Sequence, residues 1–367
     1  MSTVKGLRAG VMASILAGVA LVAGLAQAQN FSTERPSSIL IFPKVVNGDA
    51  STVIQITNTA NSLTHAHCFY VNGASVNGQP LWQVTDFELA LTRQQPTHWG
   101  AGTGRAVNPS DPQKTSGAGI DPGLVPPVPP GFTGYLVCVE TLADGTPTSG
   151  NSLVGMATVG AIGQAGPNSV SKYSAVGIPG CLSDNGPCGS GGTANNGDNI
   201  LSLDNAEYAA CPGGAYLNFE SEGGSDPALV AAGNTASTVS TNLSLVPCGI
   251  DFENLIPEST TLTAEVRDEF ETRTSVFPID VDCYFAEALS AVSTSGFTLS
   301  SGTFGTAILR PVVGAGGVPV VGVANVLRTA DDGTQDTAAT NLHFCTDEEA
   351  PASCVTVDSE IRLPTFR

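Results

Sequence analysis

The chain has 367 residues, with 33 acidic and 14 basic side chains and a formal net charge of −19. A surface this acidic repels nucleic-acid phosphates and anionic lipid headgroups, so we expect no nucleic-acid partner and no membrane insertion. Hydrophobic residues make up 41% of the chain, which is too apolar for a disordered protein. With 42 glycines and 24 prolines, the composition is typical of a loop-rich β protein outside the cell.

The first 28 residues have the three parts of a secretory signal peptide. Lys5 and Arg8 form a positive n-region, Val11–Leu25 is an apolar segment, and Ala26–Ala28 is a small-x-small cleavage site. The apolar segment is short for a membrane span, which favours cleavage over a retained anchor. We therefore predict a signal peptide over 1–28 and a secreted protein, outside the cell or at its surface, with the periplasm as an alternative location.

Short runs of β-branched and aromatic residues, separated by turns rich in glycine, proline and asparagine, recur along the remaining chain. Before residue 180, the predicted strands are Ser38–Val45, Ser51–Thr57, Thr64–Asn72, Phe87–Leu91, Gly134–Glu140, Leu153–Val159 and Ser169–Ile178. After residue 200, they are Tyr216–Glu220, Thr238–Val246, Thr260–Val266, Phe277–Phe285, Gly305–Pro311, Val318–Leu327 and Thr340–Cys345. Seven or so short strands in each half are typical of an immunoglobulin-like sandwich.

The segment GCLSDNGPCGSGGTANNGDN, Gly180–Asn199, is the strongest candidate for a linker. We therefore predict an all-β protein with two tandem immunoglobulin-like β-sandwich domains, over 29–180 and 200–367, joined by a Gly/Asn-rich linker over 181–199. One larger sandwich or barrel is the alternative.

Similar segments follow one another in the same order on both sides of this linker. The matched pairs are ILIFPKV with YLNFESE, TVIQITNTANSLTHAHCFYV with TLTAEVRDEFETRTSVFPIDVDCYF, GYLVCVE with GTAILRP, and SLVGMATV with VPVVGVANV. Each match is weak by itself, but their shared order indicates that the two domains are related by duplication.

Several segments resemble those of a group of uncharacterised exported bacterial proteins. They are ILIFPKV, ITNTANSLTHAHCFYVNG, LTRQQPTHW, NAEYAACP, LVPCGIDFENLIP and RDEFETRTS, and the resemblance extends over most of the chain after the signal peptide. It implies an exported bacterial protein and carries with it no activity, cofactor or catalytic residue. The segment TVIQITNTANS is also similar to the first hairpin of immunoglobulin-like bacterial surface modules, a likeness of fold alone.

The segment THAHCFY, Thr64–Tyr70, is the strongest candidate for a metal site. In a strand, His65 and His67 share one face and lie about 7 Å apart at Cα, a spacing that suits two ligands of one metal ion. Cys68 points to the opposite face, so a combined site would need a bulge. The alternative is a half-exposed strand whose histidines hydrogen-bond to neighbours or solvent. We predict no cofactor and keep His65 and His67 as candidate metal ligands.

All nine cysteines follow the signal peptide, and disulfides are the default in an exported protein. We predict a disulfide between Cys68 and Cys138, because both lie on central strands of the first domain and sandwiches often bridge their two sheets in this way. A bonded cysteine cannot act as a nucleophile, so this pairing argues against a catalytic Cys68.

Two further disulfides are expected to close local loops, Cys181 with Cys188 and Cys345 with Cys354. Nine is an odd number, so at least one thiol is free or pairs with another chain. The sequence leaves open the pairing of Cys211, Cys248 and Cys283.

Signatures of common enzymes are absent from the sequence, including G-x-S-x-G, H-E-x-x-H, the phosphate loop and the dinucleotide fingerprint. The acidic clusters Arg267–Glu271 and Asp347–Glu349 are interpreted as solvated charge runs, since no spacing brings two carboxylates together across a cleft as a glycosidase requires. Trp82 and Trp99 are candidates for stacking on a sugar, but a role in core packing or hairpin packing is favoured for both. We predict a protein without enzymatic activity or catalytic residues.

These inferences favour a structural or adhesive role at the cell surface or outside the cell. The expected partners are other surface proteins, glycans or further copies of the chain. The alternative function is a ligand-binding module, for a carbohydrate or for a metal ion held by His65 and His67.

Overall fold

The computed structural model describes residues 33–107, 120–161, 170–181, 193, 195–234, 237–293, 295–299, 303–312, 317–344 and 356–365. The predicted signal peptide and most of the predicted linker lie outside these residues. The described residues form 23 strands and two short helices, so the prediction of an all-β fold is confirmed. No helix among them is long and apolar enough to cross a membrane.

The strands before residue 180 are β1 (Ile39–Asn47), β2 (Ala50–Asn58), β3 (Thr64–Asn72), β4 (Ser75–Val76), β5 (Gln79–Pro80), β6 (Gln83–Leu91), β7 (Pro96–Gly100), β8 (Phe132–Thr141), β9 (Leu153–Ala161), β10 (Val170–Ser174) and β11 (Val176–Ile178). Those after it are β12 (Ile200–Leu203), β13 (Ala215–Glu220), β14 (Thr238–Pro247), β15 (Ile250–Asp251), β16 (Ser259–Asp268), β17 (Arg273–Asp282), β18 (Phe285–Ala288), β19 (Phe304–Pro311), β20 (Val320–Thr329), β21 (Gln335–Asn341), β22 (His343–Phe344) and β23 (Ser359–Arg362). The helices are α1 (Pro227–Ala231) and α2 (Leu289–Val292).

The first half folds as one hydrogen-bonded sheet, in the order β10-β9-β2-β1-β8-β3-β6, with β11 on β1 and β7 on β2. Strands β1 and β2 share a single register pair, Asn47 with Ser51. The sheet therefore divides into a four-stranded part (β7, β2, β9, β10) and a five-stranded part (β6, β3, β8, β1, β11). Apolar side chains from both parts, such as Phe42, Ile54 and Tyr70, form one buried core.

The second half has a four-stranded sheet, β18-β14-β20-β21, and a five-stranded sheet, β17-β16-β19-β13-β22. Its strands pair in the same pattern as the first half, in the same chain order. The corresponding strands are β1 and β13, β2 and β14, β3 and β16, β6 and β17, β7 and β18, β8 and β19, β9 and β20, β10 and β21, and β11 and β22. The shared pattern supports the duplication that the sequence indicates, while the immunoglobulin-like class and the domain boundaries stay predictions.

Three of the four sequence matches join corresponding strands, and one is wrong. The segment containing β2 and β3 was matched to the segment containing β16 and β17, whereas the pairing makes β14 and β16 the counterparts. The displacement by one strand arises because β14, TVSTNLSLVP, is separated from β16 by the short strand β15 and a turn.

The two sheets of the second half enclose a second core, which includes Leu217, Leu243 and Leu309. A further core, which we call the third core, lies against the outer face of the five-stranded part of the first half. Its far side is built from the three-stranded sheet β12-β23-β15 and from the second half. The core contains Ile41 and Phe69 from the first half and Leu203, Phe252 and Ile361 from the rest of the chain. Strands β1, β3 and β8 are therefore buried on both faces, which explains the apolar runs within them, 39–42, 68–71 and 135–139.

Glu140 in β8 is a carboxylate buried beside these strands, with 5% of its surface exposed. Burial raises its pKa, and hydrogen bonds from Ser152, Ser38 and Asn151 offset only part of that effect. Because the pKa is higher in the folded protein than in the unfolded chain, folding takes up a proton. The free energy of unfolding contributed by Glu140 therefore increases as the pH falls from above the folded pKa towards about 4.3, the value for an unfolded chain.

We expect Glu140→Gln to raise the free energy of unfolding by roughly 1 kcal/mol near pH 7, because the amide keeps an acceptor for Ser152 without a buried charge. Urea unfolding at about pH 7 and at about pH 4 would measure the effect. The two proteins should become similar at the lower pH, where the glutamate is protonated. A destabilised variant at neutral pH, or a difference that persists in acid, would contradict this account.

Candidate functional site

The segment THAHCFY lies in β3, at the bounds that the sequence predicts. Its side chains alternate as expected: the His67 and Phe69 rings lie on one face with centroids 4.3 Å apart, and Cys68 belongs to the core on the other face. The half-exposed strand considered as the alternative is wrong, because β3 is buried on both faces by the third core and the first sandwich core. The buried His67 does bond to a neighbour, with Nε2 3.0 Å from Oδ2 of Asp86 on β6.

A metal ion held by His65 and His67 would need a further ligand. Within the described part of the chain, no three or more His, Cys, Asp or Glu side chains are grouped as a metal site requires. Asp86, the acidic partner of His67, is already hydrogen-bonded through Oδ2 to Nε2 of His67, across β3 and β6. The histidine pair stays a prediction, and a concave site in the described part of the chain lies elsewhere.

Cys68 and Cys138 form a disulfide, which is the predicted pair. The expectation that this disulfide bridges the two sheets of a sandwich is wrong. The two cysteines face each other across the neighbouring strands β3 and β8. Cys181 is also disulfide-bonded. Its predicted partner, Cys188, and the predicted pair of Cys345 and Cys354 lie outside the described residues.

A cleft of about 490 Å³ opens between the two sheets of the second half, and we call it the β13–β21 cleft. Its volume is in the range of small-molecule sites. The five-stranded sheet and its turn contribute Asn218, Phe219, Glu220, Asp268, Glu269, Phe304, Gly305 and Thr306, and the four-stranded sheet contributes Val326, Arg328, Ala338, Ala339 and Thr340.

The cleft is open because β21 carries small side chains where its counterpart β10 carries a large one. In the first half, Tyr173 of β10 lies opposite Ala157, is buried in the sandwich core, and donates its hydroxyl hydrogen to the carbonyl of Lys44. In the second half, Thr340 of β21 lies opposite Ala324, which also points into its sandwich core. A threonine leaves empty the space that tyrosine fills, so this edge of the second sandwich is accessible.

Arg328 lines the cleft and lies between two buried carboxylates. Its guanidinium donates to Oε1 of Glu220 and to Oδ2 of Asp226, which are only 8% and 4% exposed. Asp226 is also the N-cap of α1, where Oδ1 accepts the N–H groups of Ala228 at 2.6 Å and Leu229 at 3.0 Å. The three charged side chains therefore tie β13, α1 and β20 together at the wall of the cleft.

The two carboxylates have opposite pKa shifts. Burial raises the pKa of Glu220, and the bond from Arg328 offsets this only in part. Burial acts to raise the pKa of Asp226 too, but the N–H of Leu229 and the Arg328 guanidinium outweigh it and lower the pKa. Glu220 is therefore the first of the pair to take up a proton as the pH falls.

The mouth of the cleft combines an exposed aromatic ring with polar groups. Phe304 is 48% exposed at the start of β19, whereas Phe219 is buried at the base. Asp268 is buried and closes the turn after β16, because Oδ1 accepts the N–H groups of Phe270 at 3.0 Å and Thr272 at 2.9 Å. The interpretation of residues 267–271 as a solvated charge run is therefore wrong for Asp268.

The two tryptophans lie away from this cleft and pack in cores, as the sequence favours. Trp99 is buried, and its Nε1 donates to the Tyr70 hydroxyl at 2.5 Å. Trp82 is partly buried and stacks against Phe252 in the third core, with ring centroids 6.5 Å apart. The buried ring of Trp99 is therefore not available as a platform for a sugar, and the ring of Trp82 is covered on one face by Phe252.

No protein-family model matches the chain, and no curated protein matches it. Several solved structures show weak similarity, among them the following two. The crystal structure of Thermotoga maritima 1070 is 10% identical, covers 38% of this chain and 92% of its own, and has a TM-score of 0.24. The lectin from Pleurotus ostreatus in complex with GalNAc is 15% identical, covers 86% of this chain and 82% of its own, and has a TM-score of 0.18. Neither likeness is close enough to bear on function.

Proposed function

We propose that the protein is an exported, non-enzymatic β protein with an adhesive role outside the cell, and that it adheres by holding a carbohydrate in the β13–β21 cleft. The observation that carries the proposal is the exposed ring of Phe304 at the mouth of a cleft lined by polar side chains. A solvent-exposed aromatic residue inside a concave site is favourable for a ligand with an apolar face.

Carbohydrates have the chemistry that this lining suits. The C–H face of a sugar ring packs on an aromatic ring such as Phe304, while its hydroxyl groups both donate and accept hydrogen bonds. Asn218, Thr306 and Thr340 line the cleft with groups of both kinds. Glu220 and Arg328, which are hydrogen-bonded to each other, add a fixed acceptor and donor to this lining, and fixed polar groups of this kind orient a ligand.

The carboxylates of the cleft support binding over hydrolysis. A glycosidase needs two carboxylates on opposite sides of the bond that breaks, one of them free to donate a proton. Asp268 is committed to the backbone of its turn, and Glu220 is paired with Arg328 of the facing sheet. Glu269, the third carboxylate of the lining, follows Asp268 in the chain, so all three carboxylates come from the five-stranded sheet and its turn. This supports a protein that holds its ligand and does not cleave it.

Adhesion through a cleft is also favoured over assembly through a sheet edge. Strand β17 is an edge of the five-stranded sheet, where a second copy could add a strand. It carries Pro278 in its centre and the exposed charges Arg273, Asp280 and Asp282. Proline and charge on an edge strand oppose strand addition.

The proposal is tested by filling the cleft with a tyrosine, the residue that occupies the corresponding position in the first half. We expect Thr340→Tyr to reduce binding to immobilised oligosaccharides at least tenfold, because the ring would occupy the space left open opposite Ala324. Binding is measured by screening the wild type against a glycan panel and titrating both proteins with the best oligosaccharide.

Gln335→Tyr is the matched control, since Gln335 is exposed on the same strand and does not line the cleft. It should bind like the wild type. A wild-type protein that retains no oligosaccharide of the panel, or a Thr340→Tyr variant that binds as well as the control, would refute the proposed function.

A further inference from the structure

Three cysteines that are not in disulfides lie in the third core, between the two halves of the chain. They are Cys211, Cys248 and Cys283, and all three are buried. Cys211 precedes β13, and Cys248 directly follows β14. None of these thiols is used by the proposed carbohydrate site, and their burial in one core raises the question of whether they react with each other.

Two of the three thiols are neighbours in the third core. Cys211 Sγ lies 3.4 Å from Oγ of Ser359, and the parallel pairing of β15 with β23 (Ile250 with Ile361) places Cys248, two residues before Ile250, beside Ser359. The Cys211 thiol is accordingly one of the groups that raise the pKa of Cys248, after burial. Their backbones are held in place as well. The carbonyl of Cys211 accepts the N–H of Val357 at 3.0 Å, and the N–H of Cys248 donates to the carbonyl of Pro319 at 2.8 Å.

The third thiol has a different neighbour. Cys283 is hydrogen-bonded to the hydroxyl of Tyr135 from β8, and burial, its largest influence, raises the pKa of Cys283 to about 12. This thiol is therefore protonated at neutral pH and a poor nucleophile. Its neighbour, Tyr135, distinguishes it from the other two cysteines, whereas its protonation does not, because burial raises the pKa of the Cys248 thiol as well.

We propose that Cys211 and Cys248 form a disulfide in the exported protein, and that Cys283 is the odd, unpaired cysteine. The oxidant is a second disulfide, either a small-molecule disulfide or an oxidised protein dithiol of the compartment. One thiolate attacks it to give a mixed disulfide and release one thiol, and the other cysteine then displaces the second thiol. Each cysteine loses its hydrogen, and the oxidant is reduced to two thiols.

A metal ion is the competing use of two adjacent thiols. Zinc in a structural site has four protein ligands, and the described residues around Cys211 and Cys248 supply no third ligand. The Ser359 hydroxyl at Cys211 is not a usual zinc ligand. A disulfide satisfies both sulfurs without any further group.

Because both thiols are buried in the folded protein, they must be oxidised before the third core closes. Both sulfurs are inaccessible in the folded protein, and burial raises the pKa of the Cys248 thiol. Thiol–disulfide exchange at these two cysteines is therefore slow in the native protein. The bond forms while β14 and the segment before β13 come together during folding. Once formed, it is shielded from reductants, and it fixes the segment paired with residue 357 to the end of β14.

Peptide mapping of the full-length exported protein tests this assignment. The protein is denatured with an alkylating reagent, without a reductant, and is then digested. We expect a linked pair of peptides containing Cys211 and Cys248, and alkylation of Cys283 alone among these three. Alkylation of both Cys211 and Cys248, or a disulfide between Cys283 and either of them, would overturn the proposal.

Two variants make the result independent of the digestion. Cys283→Ser should leave the linked peptides unchanged, while Cys211→Ser should add Cys248 to the alkylated residues. Native protein treated with dithiothreitol before alkylation should keep the bond, whereas denatured protein should lose it. If Cys211→Ser fails to fold, the wild-type map together with Cys283→Ser still decides between a bonded pair and two free thiols.

Discussion

Replacing Arg328 with methionine should lower the free energy of unfolding by about 2–3 kcal/mol near pH 7. The substitution keeps an apolar side chain of similar length but leaves Glu220 and Asp226 as two adjacent buried carboxylates without a cation. Removing one partner from a buried ion pair costs about 3–5 kcal/mol. We expect a smaller loss because the Arg328 side chain is 24% exposed, so that water screens part of the interaction.

The loss should diminish in acid. In the wild type, the pKa of Asp226 is lowered, so its contribution to stability stays present down to its unfolded pKa of about 3.9 and declines only below that pH. In Arg328→Met the carboxylates repel each other until one is protonated. Urea unfolding of both proteins between about pH 7 and about pH 4 should therefore show converging stabilities.

Arg310→Met is the matched control for this prediction. Arg310 also lies on a strand of the second half and is 30% exposed, but it approaches a single carboxylate, Glu265, at 3.7 Å. A long, single ion pair of this kind contributes less than about 1 kcal/mol. Equal losses in the two variants would show that Arg328 acts through packing alone.

Strands were predictable from the sequence where their composition is distinctive. THAHCFYVN forms β3 at the predicted bounds, and ILIFPKV and GYLVCVE lie in β1 and β8. These strands were recognised by their β-branched and aromatic residues. Burial on their second face was not predicted. An apolar run without clear alternation fits a strand with one buried face as well as a strand that lies between two cores.

The cleft could not be predicted from the sequence, because β21, the strand whose small side chains leave the cleft open, has almost none of the residues by which strands are recognised. Strand β21, QDTAATN, has no large apolar residue: one face borders the open cleft, and the other packs against β10 through small side chains. Its counterpart β10 contains Tyr173 and was predicted. A strand that leaves a cavity needs small residues, and those residues remove the periodicity by which strands are found.

The charged residues of the cleft were missed for a different reason. Arg328 bonds to Glu220 and Asp226 across separations of 108 and 102 residues, so no local spacing reveals them. The duplication supplies the information that local patterns lack. Aligning β10 with β21 by their pairing exposes the replacement of Tyr173 by Thr340. This difference explains why the edge that Tyr173 fills in the first half is open at Thr340 in the second.

Removing the disulfide between Cys68 and Cys138 should have the largest effect on stability. The two cysteines are 70 residues apart in the chain and fully buried in the first sandwich core. A cross-link that closes a loop of this length restricts the unfolded chain and stabilises the fold by about 4 kcal/mol. We therefore expect the double variant Cys68→Ala, Cys138→Ala to unfold at a much lower urea concentration than the wild type.

Cys283→Ala separates the cross-link from the cavity that a missing sulfur leaves. Cys283 is equally buried but is not bonded to another cysteine, so its loss should cost only about 1–2 kcal/mol through lost packing. The double variant removes two sulfurs and a covalent bond between neighbouring strands. If its loss of stability were no more than twice that of Cys283→Ala, packing would account for all of it, and the bond between β3 and β8 would not constrain the unfolded chain.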